Sequence, residues 1–170
     1  AQTACEAAVT LHPQVRDRLH EIEKIVITTH ESAIRIISKQ GKLANAADRD
    51  HCLQYMTAVP LAFGNLVAEQ YEDDFHAAHP IIDELREKMH IVEDPRFTRE
   101  YLEADKRSIA NAIQVFFTDG SSTQQVVVEY PIGHRRRRAQ GIVLLEEKFR
   151  HNLATRFTGQ RCAQIVELCN

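Results

Sequence analysis

A chain of 170 residues with 44% hydrophobic and 26% charged side chains has the balance of a globular domain with room for a small appendage, which excludes a disordered chain. No stretch approaches the ~20 consecutive apolar residues of a membrane helix, and no basic, apolar-cored leader opens it, so neither a membrane nor a secretory role is expected. The formal net charge of −3 argues against general attraction to nucleic acid.

Residues 1–12 read as a helix, with Ala4, Ala8 and Leu11 at helical spacing, and Pro13 is placed to open a second short helix over 13–20. The β-branched run Ile22–Thr29 reads as a strand. Glu31–Lys39 fits either a continued strand or a helical turn, ended by Gly41. Asn45 or Asp48 is suited to cap the next helix, whose stripe is Cys52, Met56, Val59, Phe63 and Leu66; Pro60 should kink or split it. Residues 71–79 read as a polar loop. His76-x-x-His79 within that loop has a spacing that zinc accepts, but no Cys accompanies it and no metal ligand is assigned.

Pro80 is expected to start a short helix to about Lys88, followed by a strand at Met89–Val92 and a turn at Asp94-Pro95. Ile109–Thr118 and Thr123–Tyr130 flank Asp119-Gly120, a dipeptide that accepts positive φ, which predicts a β-hairpin. Two amphipathic helices should close the chain, one striped by Leu145, Phe149 and Leu153, the other capped by Thr158 and striped by Cys162, Ile165, Val166 and Cys169. The order predicts an α+β fold with a mostly antiparallel sheet of about four strands and flanking helices. Cys5, Cys52, Cys162 and Cys169 form no C-x-x-C pair and read as reduced thiols of a cytosolic protein.

Residues 95–170 carry 12 Lys/Arg against 8 Asp/Glu, whereas 1–94 carry 9 against 16. An anionic ligand is therefore better sought in the second part. Arg135–Arg138 has the charge for it, because guanidinium forks grip carboxylates. Four consecutive arginines cannot all face one site, and a solvated or structural run is the competing reading. His51 and Gln54 precede Tyr55 at spacings that place the three on one helical patch.

The run Ala44–Met56, the segment Tyr71-Glu72-Asp73-Asp74, and above all Asp105–Ser108 through Asp119-Gly120 and Val128–Arg138 resemble the 2-methylcitrate dehydratase and cis-aconitate decarboxylase family. The likeness runs along nearly the whole chain. It implies that residues 1–132 form a small α+β lid domain and that 133–170 are a linker and helices belonging to a larger all-helical domain, missing here and preceding the chain. It implies dehydration of 2-methylcitrate to 2-methyl-cis-aconitate in propionate breakdown (the methylcitrate cycle), by a cytoplasmic homodimer with no iron–sulfur cluster and no other cofactor.

Dehydrating a hydroxy tricarboxylate requires a general base, a proton for the leaving oxygen and cations for the carboxylates. The resemblance puts Tyr55 on the helix that reaches the cleft, as proton donor; a Tyr merely packed beside Val59 is the alternative. His51 would orient Tyr55 or move a proton, or is a first-turn His that merely helps the helix cap. Gln54, Gln2, Arg135 and Arg136 are the candidates to bind the tricarboxylate substrate. The family's Lys- and His-bearing strand lies just upstream of Ala1, so the chain alone is expected to be inactive. The rival readings are a non-catalytic binding or dimerisation module, and a sibling decarboxylase or epimerase acting on a related acid.

Overall fold

The computed structural model describes residues 1–169 and falls into two compact units, residues 1–129 and 130–170. In the first unit, helix α1 (Gln2–Val15) buries Thr3, Ala4, Ala7, Ala8, Leu11 and Val15, a stripe at helical spacing. Pro13 does not open a new helix, as expected, but lies inside α1. Pro13 has no N–H for the Val9 carbonyl four residues before it, and Val9 is 38% exposed. A 3₁₀ turn (Arg16–Glu21) then leads into β1 (Ile22–Thr29).

The ambiguous stretch after β1 is a helix, α2 (Glu31–Ile37), capped by His30, whose Nδ1 accepts from the Ala33 amide at 3.2 Å. Helix α3 (Ala46–Asp50) starts where Asn45 Oδ1 accepts from the Asp48 amide at 2.9 Å. The expected single stripe from Cys52 to Leu66 is broken. The chain leaves the helical path after Asp50, and α4 (Tyr55–Phe63) begins afresh. Pro60 lies within α4 without splitting it, and Gly64, at φ +77°, ends it.

The presumed polar loop 71–79 contains α5 (Asp73–Ala78), followed by α6 (Ile81–Glu87) and β2 (Met89–Glu93). Asp94-Pro95 proves to be a helix start rather than a turn. Asp94 Oδ1 accepts from the Arg96 amide at 2.7 Å, and Pro95 occupies the first turn of α7 (Pro95–Leu102), where its missing N–H costs nothing.

Strands β3 (Asn111–Phe117) and β4 (Val126–Val128) form the expected hairpin, with Gly120 at φ +82°. Strand β4 is shorter than the run Thr123–Tyr130. The four strands make one sheet in the order β2-β1-β3-β4. The pairs β1–β3 and β3–β4 are antiparallel, and β1–β2 is parallel, which gives the mostly antiparallel α+β architecture that the sequence predicts. Helices α1 and α4 pack together, and α1 also lies on β3 and β4. The alanines of α1 allow close approach to a core of Ile22, Ile25, Ile27, Ile113 and Val115, each worth about 1.5–3 kcal/mol of apolar burial.

The second unit consists of a 3₁₀ turn (Arg135–Arg137), α8 (Arg138–Ala154) and α9 (Gly159–Cys169). Its apolar side chains are mostly open: Ile142, Val143, Leu144, Leu145, Phe149, Phe157 and Leu168 are exposed, while Val166 is buried.

Candidate functional site

Tyr55 opens α4 and is completely buried. Its hydroxyl donates to the Gln70 carbonyl at 2.6 Å. Its ring meets His76 edge-on at 5.4 Å and stacks on Tyr71 at 6.0 Å. Burial pushes both phenols up to about 12, so each is a neutral donor over the ordinary pH range.

Gln54 is 2% exposed. Its Nε2 donates to Ser38 Oγ at 2.9 Å, and its Oε1 accepts from the Lys39 amide at 3.1 Å. Both ends of the amide thus fasten the loop that follows α2 to the turn before α4. His51 does not share a patch with Tyr55 as the helical spacing implied. The Leu53 amide donates to the Ile37 carbonyl at 2.7 Å, which draws the 51–54 turn away from the helical path. His51 is exposed at the end of α3, with Nδ1 3.2 Å from the Ala47 carbonyl and 3.5 Å from Asp50.

Gln2 is exposed in the first turn of α1. Its neighbour Thr3 is buried; the Thr3 hydroxyl donates to the Ile109 carbonyl and accepts from Asn111 Nδ2 at 2.7 Å. The arginines lie in the second unit. His134 Nδ1 accepts from the Arg136 amide at 3.2 Å, and the Arg136 guanidinium covers the Tyr130 ring at 4.9 Å. Arg135 and Arg136 are exposed. Arg137, not singled out from the sequence, is half-buried and donates to the Tyr130 carbonyl at 2.7 Å.

The wall behind Tyr55 is an ionic chain that the sequence reading missed. Arg49, 2% exposed, donates to the Tyr71 carbonyl at 2.6 Å and to Asp73, and its Nη1 lies 3.4 Å from His76 Nδ1. A guanidinium only donates, so Nδ1 accepts and the ring N–H sits on Nε2. That N–H meets Asp83 at 3.1 Å, and Asp83 in turn accepts from Arg86. Arg86 also donates to the Gly41 carbonyl at 2.8 Å. Burial alone would raise the Asp83 carboxyl, but the bonds from Arg86 and His76 outweigh it and hold it below the ordinary carboxylate range. His79 points elsewhere: its Nδ1 donates to the Phe75 carbonyl at 2.7 Å and its ring packs on Phe63 and Phe75. The two histidines of the zinc-like spacing are therefore spent on different partners.

The Asp83/Arg86 spacing of three was a readable signal. Arg49 gave none, because its partners lie 22 to 27 residues away. Chemically, the arrangement offers a neutral phenol whose only acceptor among the described residues is a backbone carbonyl, backed by a charged wall.

Comparison with known proteins gives one family match, the MmgE/PrpD C-terminal domain, over residues 1–170. The chain is 53% identical over 171 residues to a 2-methylcitrate dehydratase of Escherichia coli strain K12, covering 99% of this chain and 35% of that protein. A 2-methylcitrate dehydratase of Cupriavidus necator is 56% identical over 160 residues, covering 92% of this chain and 33% of the relative. A mitochondrial 2-methylcitrate dehydratase of Yarrowia lipolytica is 48% identical over 173 residues, covering 100% and 33%. The chain thus spans about a third of the length of the curated relatives it matches.

Proposed function

The chain belongs to the MmgE/PrpD family, and from that premise we propose that it is the carboxy-terminal part of a hydro-lyase that dehydrates 2-methylcitrate to 2-methyl-cis-aconitate in propionate breakdown. The observation that carries this reading is the match of 99% of its length to the carboxy-terminal part of a 2-methylcitrate dehydratase, at 53% identity. Residues 1–132 act as a lid over a cleft whose other wall, with the general base, belongs to a helical domain preceding the chain. Residues 133–170 return to that helical domain. The exposed apolar side chains of α8 and α9 support this, since six large ones stand open there and Phe157 stands open between the two helices, and such surface is normally covered by a partner. The four free cysteines fit a reducing compartment, the cytoplasm, and the working unit is a homodimer.

In this reading Tyr55 gives up its bond to the Gln70 carbonyl and protonates the leaving hydroxyl. A phenol suits the task because it stays protonated well above neutrality. Side-chain acids and bases carry the reaction. One guanidinium of Arg135 or Arg136 clamps a carboxylate, Gln2 lies beside the upstream strand, and Gln54 holds the turn from which Tyr55 projects. His51, exposed and off the Tyr55 face, keeps at most a role at the rim.

The test uses a polypeptide that joins this chain to the helical domain. Turnover is followed by the ultraviolet absorbance of the conjugated product. Tyr55→Phe should lower kcat about 10²-fold with KM little changed. An unchanged kcat removes Tyr55 from the chemistry, and no dehydration of 2-methylcitrate by the parent protein overturns the reading as a whole.

A further inference from the structure

A cleft of about 510 Å³ opens between the loop after α2 and the wall made by α6 and the start of β2. Lys39, Gly41 and Lys42 face it from the loop, and Asp83, Arg86 and Glu87 face it from α6. Asp83 and Arg86 belong to the charged wall behind Tyr55; the side chains of Lys39, Lys42 and Glu87 have no part in the catalytic reading above.

The loop wall is built almost entirely of donors. Gly41 stands at φ +78°, and a side chain there would meet nothing within 4 Å, so the backbone is open to close approach. The amides of Gln40, Gly41 and Lys42 donate to no group among the described residues. Successive free amides around a left-handed residue form a concavity suited to an anion. The Lys42 ammonium has no hydrogen bond or ion pair among the described residues. Lys39 is shared with Asp48 at 3.3 Å.

Behind the loop lies Arg86, whose side chain is 7% exposed; its Nη2 anchors the Gly41 carbonyl and its Nε has no acceptor among the described residues. The acids of the cleft are unevenly placed. Asp83 is consumed by Arg86 and His76. Glu87 is exposed at the end of α6, so the negative charge lies on the wall opposite the amides.

We propose that this cleft binds a small oxyanion, a carboxylate or a phosphate group, seated on the amides of residues 40–42 with Lys42 and Lys39 as its counter-charges. Glu87 on the far wall disfavours a second negative group pointing across the cleft and favours a hydroxyl there. Because the Lys39 amide is held by Gln54, an occupied cleft stiffens the segment that leads into α4.

Titration calorimetry on the purified protein at constant ionic strength tests this, with inorganic phosphate and citrate as separate probes and sodium chloride as control. Saturable binding of phosphate identifies a phosphate site, and saturable binding of citrate alone identifies a carboxylate site. In either case Lys42→Ala should weaken binding about tenfold, the loss of one charge-assisted contact, and Glu87→Gln should strengthen it. Lys42 and Glu87 are both exposed, so neither change threatens the fold. Binding that matches the chloride control, or that is untouched by Lys42→Ala, overturns the proposal.

Discussion

Replacing Arg49 by Met removes the centre of the ionic wall while keeping a similar apolar stem. Three acceptors lose their donor: the Tyr71 carbonyl, Asp73 and His76 Nδ1. The Asp73 side chain is 76% exposed and rehydrates, so its share is at most about 1 kcal/mol. The Tyr71 carbonyl and the largely buried His76 cannot fully do so; each stranded acceptor costs about 1–3 kcal/mol. Apolar burial of the Met side chain returns about 1–2 kcal/mol. The expected net loss is about 2–3 kcal/mol, a Tm lower by roughly 8 °C for a chain of this size. Circular dichroism melts of Arg49→Met and Asp73→Ala, run together, test the reasoning. Asp73→Ala leaves Arg49 its bonds to the Tyr71 carbonyl and His76 and should fall by less, about 1 kcal/mol. If both variants drop equally, or if Arg49→Met melts with the parent, the wall does not carry the load assigned to it.

Alkaline unfolding should show the phenols of buried Tyr55 and half-buried Tyr71. Their folded values lie near 12, above the ordinary 10, so their contribution is complete below pH 10 and is lost as pH rises towards 12; ultraviolet titration of Tyr55→Phe should lack one of the late-ionising groups, and titration of every tyrosine near 10 would contradict the burial. Gly64→Ala meets both a left-handed backbone and the His12 ring 2.8 Å from the added carbon, so a loss of about 1–3 kcal/mol is expected in urea unfolding; a loss below 0.5 kcal/mol would be inconsistent with the turn described. Leu145, 62% exposed on α8, should tolerate Leu145→Lys without loss of stability, and sedimentation should show less self-association; stronger association would argue against an apolar docking face.

Much of the fold was written in local chemistry. The β-branched run Ile22–Thr29, the Asp119-Gly120 turn and the Asn45 cap each fix their own element within a few residues. The errors came where tertiary contacts decide. The break between α3 and α4 follows from the Leu53–Ile37 bond, and helix α5 is held in place by Arg49, far away in sequence. Asp94-Pro95 carried a legible helix-start signal, an acid cap followed by Pro, that also suits a turn. The site was legible at Tyr55 only through family likeness. Its environment, with a hydroxyl bound to a backbone carbonyl and a charged wall behind it, depends on pairs such as Arg49–His76 and His76–Asp83 that periodicity does not encode.

If this chain supplies one wall of a two-part cleft, catalysis needs the other wall. 2-Methylcitrate dehydration by the purified chain alone, and by the same chain joined to the family's helical domain, tests this most directly. No turnover is expected from the chain alone, and enzymatic turnover from the joined protein. Turnover by the chain alone at about 1 s⁻¹ or faster would contradict it.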